Sequence, residues 1–505
     1  MNKRNLAPLG NASKPPGSKL GLEMEMPVAA RATGRSHAVG GYFEALRQIK
    51  AARGEAASLA HLGERAVAVI GVDGYSGLDN GYNLLETAFF PVAGGPGGLN
   101  RLADKVMREL RDARQALDAE GAALLNASEH PDGPLDEDWY ATARVDRPIY
   151  RNWREGRGWL HRIGIDAKAQ NSPCTSVEPA QAARALNAVL ALAPASIALF
   201  ANSPLESGRA TELKENRLTL WPRMFGPSPF AGDLALQRLP DRPFDDLGHY
   251  FRWMFGTQTA SHALPLTPGQ GYKSAALADL QDHPSLAEFL RAPAWQARCD
   301  DTGEEVTLHP NGGYFEYAQF AHFLDARWRY RLAQPLPLDE LLAAWPQPGG
   351  IEELLARRGA DGYIEGRAPG AVFADAQLLA EAGAAVAASA PIAPSAVQLG
   401  LMRNLNEAER LWRDWGWQRL RALRPTAIRH ALADGVVHAL ARDVLAVARA
   451  GLPKAERHWL DYAEHAAQTR RTGADRLLDL WRQAGNSPDR LARVCAQREV
   501  IVVEG

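Results

Sequence analysis

Glu23 and Glu25 stand two residues apart in GLEMEM (residues 21–26), interleaved with Leu22, Met24 and Met26. Alternation with period two is the pattern of a β-strand, so the carboxylates share one face and the apolar side chains the other. The pattern recurs. NLLETAFF (83–90) sets Glu86 in an otherwise apolar run, and Asp79 lies seven residues earlier in the turn-like GLDNG. GYIEGRAP (362–369) places Glu365 and Arg367 two apart, on one strand face if the segment is extended. A carboxylate on the wet face of an antiparallel sheet needs no task. Around a cavity the balance differs: two carboxylates about 5 Å apart at an effective dielectric near 20 repel by roughly 3 kcal/mol, which a cation must offset. Mg²⁺ is hard, takes oxygen ligands and prefers a few carboxylates together with substrate phosphates. Side chains two apart on a strand start about 6–7 Å from each other, enough to reach separate ions of a cluster spaced by about 4 Å. Arg367 supplies a permanently charged fork for a phosphoryl group in transit. Glu23, Glu25, Glu86 and Glu365 on three strands, with Asp79 nearby and one arginine, are the parts of a metal-assisted phosphoryl-transfer site.

Other chemistries lack their signatures. There is no G-x-x-x-x-G-K-[ST]; GQGYKS (269–274) lacks the Gly-Lys pair at that spacing. No H-E-x-x-H and no G-x-S-x-G occur, and GGPGG reads as a turn. His458 and His465 in HWLDYAEH are seven apart, a spacing of helix core or surface. Cys174, Cys299 and Cys495 are remote from one another, which excludes a zinc ribbon and a disulfide framework and suits a reducing cytoplasm. Cys174 reads as a small buried residue, with no activating neighbour in the sequence.

These residues need a large scaffold. The chain has 505 residues, 46% hydrophobic and 23% charged, with a net charge of -2. That balance gives no global field for nucleic acid or an anionic membrane. Residues 1–20 carry Lys3 and Arg4 without an apolar stretch, so they read as a mobile tail and not a secretory signal. No window reaches eighteen apolar residues, so no membrane span is expected. Leu99, Leu102, Val106, Leu110 and Leu117 predict an amphipathic helix from Leu99 to about Leu125. Residues 178–200 predict a helix broken at Pro194. Five prolines over 222–243 predict a loop of the kind that covers active sites. Residues 404–496 read as three or four helices. With strands clustered in the first 220 residues and around 360, the expected class is α+β with a helical C-terminal part.

ALFANSPLESGRATELKENRLTLW (198–221) strongly resembles a segment of the glutamate–cysteine ligase family in its plant-type and proteobacterial branch, on Asn202, Ser203, Pro204, Gly208, Arg209, Arg217 and Trp221. GLEMEM resembles the family's first strand, LDNGYNLLETAFFPV its Asp and Glu seven apart, and YIEGR its Tyr-Ile-Glu-x-Arg strand. HALARDVLAVARAGL and RLLDLW resemble its C-terminal helices. The resemblance runs from about residue 20 to 495 and is weakest in the middle third.

The resemblance implies a glutamine synthetase-like fold: a curved, mostly antiparallel sheet with the active site in its concave face. It implies a tail over 1–20, a catalytic domain over 21–403 and a helical part over 404–505 packed on it. It implies ATP-dependent ligation, in which the γ-carboxylate of glutamate takes the γ-phosphoryl group of ATP and an amine, cysteine in the best-known members, displaces phosphate. The partners implied are ATP, L-glutamate and an amine such as L-cysteine, with Mg²⁺ or Mn²⁺ and no nucleic acid or membrane; oligomeric state has no signal in the sequence. By the motif match Glu23, Glu25, Asp79, Glu86, Glu178 and Glu365 are metal-ligand candidates, and Arg367 and Glu365 are catalytic candidates. Arg217 is the candidate clamp for glutamate carboxylates, because arginine pairs with carboxylate in a bidentate way; Arg209, Asn202 and Trp221 complete the substrate set. Two departures bear on the pocket. A family Gln or His position near CTSVEP aligns with Glu178, or with Gln170 if the register shifts. GRAPG stands where relatives continue with a polar stretch, which leaves the amine acceptor open. A different amine, or a non-catalytic ligand-binding role, are the alternatives.

Overall fold

The alternation in residues 19–30 does build a strand. In the computed structural model, which describes residues 16–164, 168–261, 263–269 and 273–503, β1 (Lys19–Ala30) buries Leu20, Leu22, Met24, Met26 and Val28 almost completely. Residues 1–15 of the expected tail lie outside the described residues, as do 270–272 of GQGYKS. β1 is the hub of a ten-stranded sheet. On one side come β2 (Ser58–Leu62), β3 (Arg65–Ile70), β4 (Gly74–Leu78) and β5 (Leu84–Phe89); the short strands β6 (Val92–Ala93) and β7 (Ala122–Leu124) also pair with β1. On the other side lies β8 (Asn171–Ser176). A separate hairpin holds β9 (Leu205–Glu206) and β10 (Arg209–Ala210), and a four-stranded sheet holds β11 (Leu264–Pro265), β12 (Leu277–Leu280), β13 (Trp295–Cys299) and β14 (Glu305–Leu308). The main sheet ends with β15 (Ala326–Arg331) and β16 (Asp361–Gly366), in the order β15-β16-β8-β1-β5-β4-β3-β2. Every pairing along that path is antiparallel.

Helices cover one face of this sheet. Gln398, on the helix Ala393–Arg403, donates to Pro173 O, Thr175 Oγ1 and Ile364 O. Thr175 and Ile364 are register partners and share a face. On the helix Gly98–Asp118, Glu109 accepts from Thr87, the partner of Met24. The apolar side of the sheet thus meets helices, and the opposite side carries the glutamates.

The helix Pro179–Leu199 runs through Pro194, where a break was expected. Proline removes one backbone bond, but residues 185–188 and 190–195 are buried without interruption, and tertiary packing holds the helix. This helix is long and apolar enough to cross a membrane by length and composition, and 83% of its apolar window is buried inside the fold. The proline-rich stretch holds the short helices Leu220–Phe225 and Ala231–Ala235 instead of a plain loop. Past 404 there are six α-helices among the described residues, not three or four, because Gly416, at φ +84°, and other short breaks divide the helical pattern. Helices Trp417–His430 and Gly435–Gly451 pack on Pro179–Leu199, and one apolar core runs from Leu20 to Val500 across residue 404.

Candidate active site

Register brings the charged residues to one face. Glu25 lies opposite Glu86, which in turn lies opposite Gly77. Glu23 lies opposite Ala88 on one side and Ser172 on the other. Glu365 lies opposite Arg327 and Cys174. Directly opposed residues of antiparallel strands point the same way, so this face shows carboxylates on β1, β5 and β16, arginines on β15, and small residues between them. A cavity of about 290 Å³ lies over it, lined by Glu23, Glu25, Asp79, Glu86, Gln170, Arg217, Trp221, Lys273, Arg327, Arg329 and Arg367 among others.

Three carboxylates converge: one oxygen each of Glu25, Asp79 and Glu86 lie within 4.8 Å of one another. Burial first, and then repulsion from neighbouring carboxylates, raise the proton affinity of Glu25 and Asp79. Asp79 is pushed up to about 6 by burial and by Glu86. Burial, then Asp79 and Glu86, hold Glu25 well above the usual carboxylate range. Glu23, beside them, is pushed up to about 7 by burial, then by Glu365 and Glu86. Lys273 Nζ sits 2.6 Å from Glu86 Oε2, and Gln170 donates its backbone N–H to Glu25 at 3.1 Å. Oxygen donors gathered at this spacing, and costly to ionise together, fit a hard divalent cation.

Glu365, expected among the metal ligands, stands outside this trio and among arginines. Its side chain is fully buried. Arg327 Nη2 and Arg367 Nη1 each lie 2.9 Å from Oε1, while Arg327 Nε at 2.9 Å and Arg329 Nη1 at 3.5 Å address Oε2. A carboxylate has about four lone-pair positions, and all of them face guanidinium. Glu365 is the common anion of three arginines, and they hold its carboxyl far below the usual range against the opposing effect of burial.

The substrate candidates divide. Trp221 lines the cavity, its ring 5.9 Å from Arg367 Cζ. Arg217 lines it too, but Nε donates to Glu215 at 2.9 Å, Nη1 to Gln170 Oε1 at 3.0 Å and Nη2 to Ala368 O at 3.1 Å. Committed on three sides, it is a strut between Gln170 and the chain after β16 and does not present a free bidentate fork. Asn202 is wholly buried and away from the cavity lining, bonding Asn126, Ala371 O and Arg498. Arg209 is exposed on the β9–β10 hairpin. Glu178 precedes the helix Pro179–Leu199 and does not line the cavity, and Gln170 holds the position beside Glu25. Cys174 lies on the site face, its thiol pushed well up by burial and by Glu23 and Glu365.

Sequence reasoning missed Arg327, Arg329 and Lys273. The arginines had a legible signal, since ARWRYR alternates charge with aromatic residues as a strand does. Lys273 sits in GQGYKS, which was weighed only as a phosphate loop.

A second cavity, of about 570 Å³, continues along the same face and shares Glu23, Tyr75 and Ala88 with the first. Its walls are Phe89, Phe90, Pro91, Tyr363 and Ile70, with Lys19, Arg331 and Asp361 at the margin. Along β16 the two cavities follow each other: Asp361 and Tyr363 in the apolar one, Arg367, just past the strand, in the charged one.

Residues 20–256 match the family model described as glutamate-cysteine ligase family 2. The match takes in GLEMEM and ALFANSP and ends before YIEGR. A glutamate–cysteine ligase (gshA) from Francisella tularensis, solved in complex with AMP, is 13% identical over 96% of this chain and 88% of that one, with a TM-score of 0.47. A bifunctional glutathione synthetase from Pasteurella multocida is 11% identical over 95% of this chain and 51% of that one, with a TM-score of 0.41, so the chain spans about half that protein's length. No curated protein matches the sequence.

Proposed function

We propose, from the match of residues 20–256 to the model of glutamate-cysteine ligase family 2, that the chain is an ATP-dependent ligase of that family, forming a γ-glutamyl amide through γ-glutamyl phosphate, in the cytoplasm. The observation that carries the reading is the opposition, on one sheet face, of a carboxylate trio to a group of arginines. Attack of one anion, the γ-carboxylate of glutamate, on another, the terminal phosphate of ATP, requires cationic groups on both reactants.

Glu25, Asp79 and Glu86 are the residues that would hold Mg²⁺ or Mn²⁺, with Glu23 and Gln170 beside them. Such an ion, when bound, neutralises phosphate charge. Arg367, Arg327 and Arg329 line the cavity, each tied to Glu365. They take up the charge that develops on the transferring phosphoryl group. Arg217 fixes Gln170 and the backbone at Ala368, which keeps Arg367 at its station.

The order of the cavities supports an end-to-end arrangement. The apolar one, at the Asp361 end, suits a nucleoside; the charged one receives its phosphates and the glutamate. From residue 361 to 367 an extended chain covers about 20 Å at roughly 3.3 Å per residue, the reach of a nucleoside triphosphate plus an acyl group.

Cysteine as acceptor, in the first step of glutathione synthesis, is the reading the family name favours. The test is independent of the acceptor. ATP, L-glutamate and hydroxylamine should yield γ-glutamyl hydroxamate with stoichiometric ADP and phosphate. No hydroxamate, with nucleotide and Mg²⁺ bound as judged by thermal shift, would identify a binder instead of an enzyme.

A further inference from the structure

Aromatic rings wall the charged cavity from Arg367 toward Asp79, whose carbonyl accepts from the Tyr150 hydroxyl at 3.2 Å. The ring centroids of Trp221 and Phe323 lie 4.7 Å apart, those of Phe323 and Trp153 6.1 Å edge to face, and those of Trp153 and Tyr150 5.3 Å. All four rings line the cavity. The wall begins at the acyl-transfer centre, because Trp221 stands against Arg367. An amine that attacks an acyl phosphate held by Arg367 has to lay its own substituent along this surface. The nucleoside, under the reading above, occupies the other cavity. The mercaptomethyl group of cysteine brings no ring to this surface, whereas a flat ring can meet it in the offset-stacked or edge-to-face geometries that aromatic pairs prefer.

We propose that the acceptor is a primary amine bearing an aromatic ring, which packs against Phe323 and Trp221 while its nitrogen reaches the acyl phosphate. The assignment rests on the γ-glutamyl ligase reading and names its substrate class. In the transfer the amine nitrogen forms a bond to the γ-carbonyl carbon and the bond from that carbon to the phosphate oxygen breaks. Phosphate leaves with the electron pair, and the proton shed by nitrogen passes to it.

The experiment supplies ATP and L-glutamate with hydroxylamine, L-cysteine, L-alanine, L-phenylalanine and 2-phenylethylamine in parallel, reading product by mass. The expected result is a kcat/KM for a ring-bearing amine at least about tenfold above that for cysteine or alanine, the size of one well-made aromatic contact. In Phe323→Ala the ratio of ring-amine to hydroxylamine kcat/KM should fall about tenfold. Phe323→Leu, which keeps apolar volume but no ring, repeats the measurement should the alanine variant fail to fold. No hydroxamate from the wild type would overturn the ligase reading itself. Hydroxamate accompanied by a cysteine rate equal to or above that of the ring-bearing amines overturns the acceptor assignment alone. So does a Phe323→Leu enzyme that keeps the wild-type ratio, or one whose affinity for a non-hydrolysable ATP analogue drops about tenfold, which would place the base against these rings.

Discussion

Replacing Glu365 by glutamine tests whether this residue belongs to the arginines or to a metal. The amide keeps the size of the side chain and removes the charge to which Arg327, Arg329 and Arg367 are all directed. The carboxylate is fully buried, and the two nearest arginines are only slightly exposed, at 11% each. Leaving such a group uncompensated costs about 3–5 kcal/mol. Three guanidiniums without their anion also repel one another, which keeps the estimate at the upper end. Unfolding entropy near 2.1 cal/mol/K per residue gives a 505-residue chain roughly 1 kcal/mol per degree, so Tm should drop by about 3–5 °C. Inorganic sulfate, by lying against the arginines from the cavity side, should recover more stability in Glu365→Gln than it adds to the wild type. Calorimetry with and without sulfate reads both effects. Mn²⁺ titration followed by electron paramagnetic resonance reads a third: with Glu25, Asp79 and Glu86 intact, affinity should stay within about threefold of wild type. An unchanged Tm, or loss of Mn²⁺ binding by more than about tenfold, would refute the reasoning, because Glu365 would then be serving the cation.

Other perturbations address the remaining parts of the site. The Glu23 carboxyl is raised from 4.5 to about 7 by burial and neighbouring carboxylates, so its contribution to stability is present below pH 4.5 and lost as pH rises through about 7. Metal-free Glu23→Gln should therefore match the wild type at pH 4 and exceed it by up to about 3 kcal/mol at pH 8, measured by urea unfolding; equal stabilities at pH 8 would contradict the burial of that charge. Lys273→Met removes the ammonium that a divalent ion must displace from Glu86, and Mn²⁺ affinity at pH 8 should rise about three- to tenfold by calorimetric titration; a fall would make Lys273 an ally of the cation. Gly370 closes the GRAPG segment where an added Cβ would meet Ser128 Oγ and lie 2.6 Å from Phe200 O and 2.7 Å from Glu215 Oε1. Gly370→Ala should cost about 1–3 kcal/mol by the same unfolding assay, with no loss expected only if the loop can move away from Arg217.

The acidic half of the site was legible because a strand translates spacing into direction. Two glutamates separated by one residue must share a face, and Leu22, Met24 and Met26 showed which face was buried. Asp79 and Glu86 needed only β4 and β5 to be neighbours, and a short turn makes them so. The basic half was harder. Arg327 and Arg329 reach Glu365 because β15 pairs with β16 across a long intervening stretch, and no local pattern fixes that pairing. Arg217 was legible as a residue of the site, but its bonds to Gln170 and Ala368 O join segments remote in the chain and leave no local pattern. Pro194 and Gly416 mark the limits of local rules in opposite senses: a buried helix overrode the proline, and Gly416 parts two helices in a stretch read as three or four where six are described.

The charge distribution along the face explains why such a hollow is stable before any ligand arrives. Like charges have been sorted by strand: carboxylates on β1 and β5 with Asp79 just after β4, and guanidiniums on β15 with Arg367 just after β16. Between them β8 contributes Ser172 and Cys174, which carry no charge and little bulk. Each half contains one member of opposite sign, Glu365 among the arginines and Lys273 beside the acids. These two residues keep each group from repelling itself apart, at a cost in ligand affinity that differs between them. Lys273 is only partly buried and sits on a loop, so a doubly charged ion can replace it. Glu365 is on a strand paired on both sides and has no exposure, so a phosphate can lie against the arginines but cannot take its place. Under the proposed reading, a cation position held by a displaceable ammonium faces an arginine group held by its own buried anion. That asymmetry suits a phosphoryl group that arrives with its metal and departs after the arginines have carried its charge.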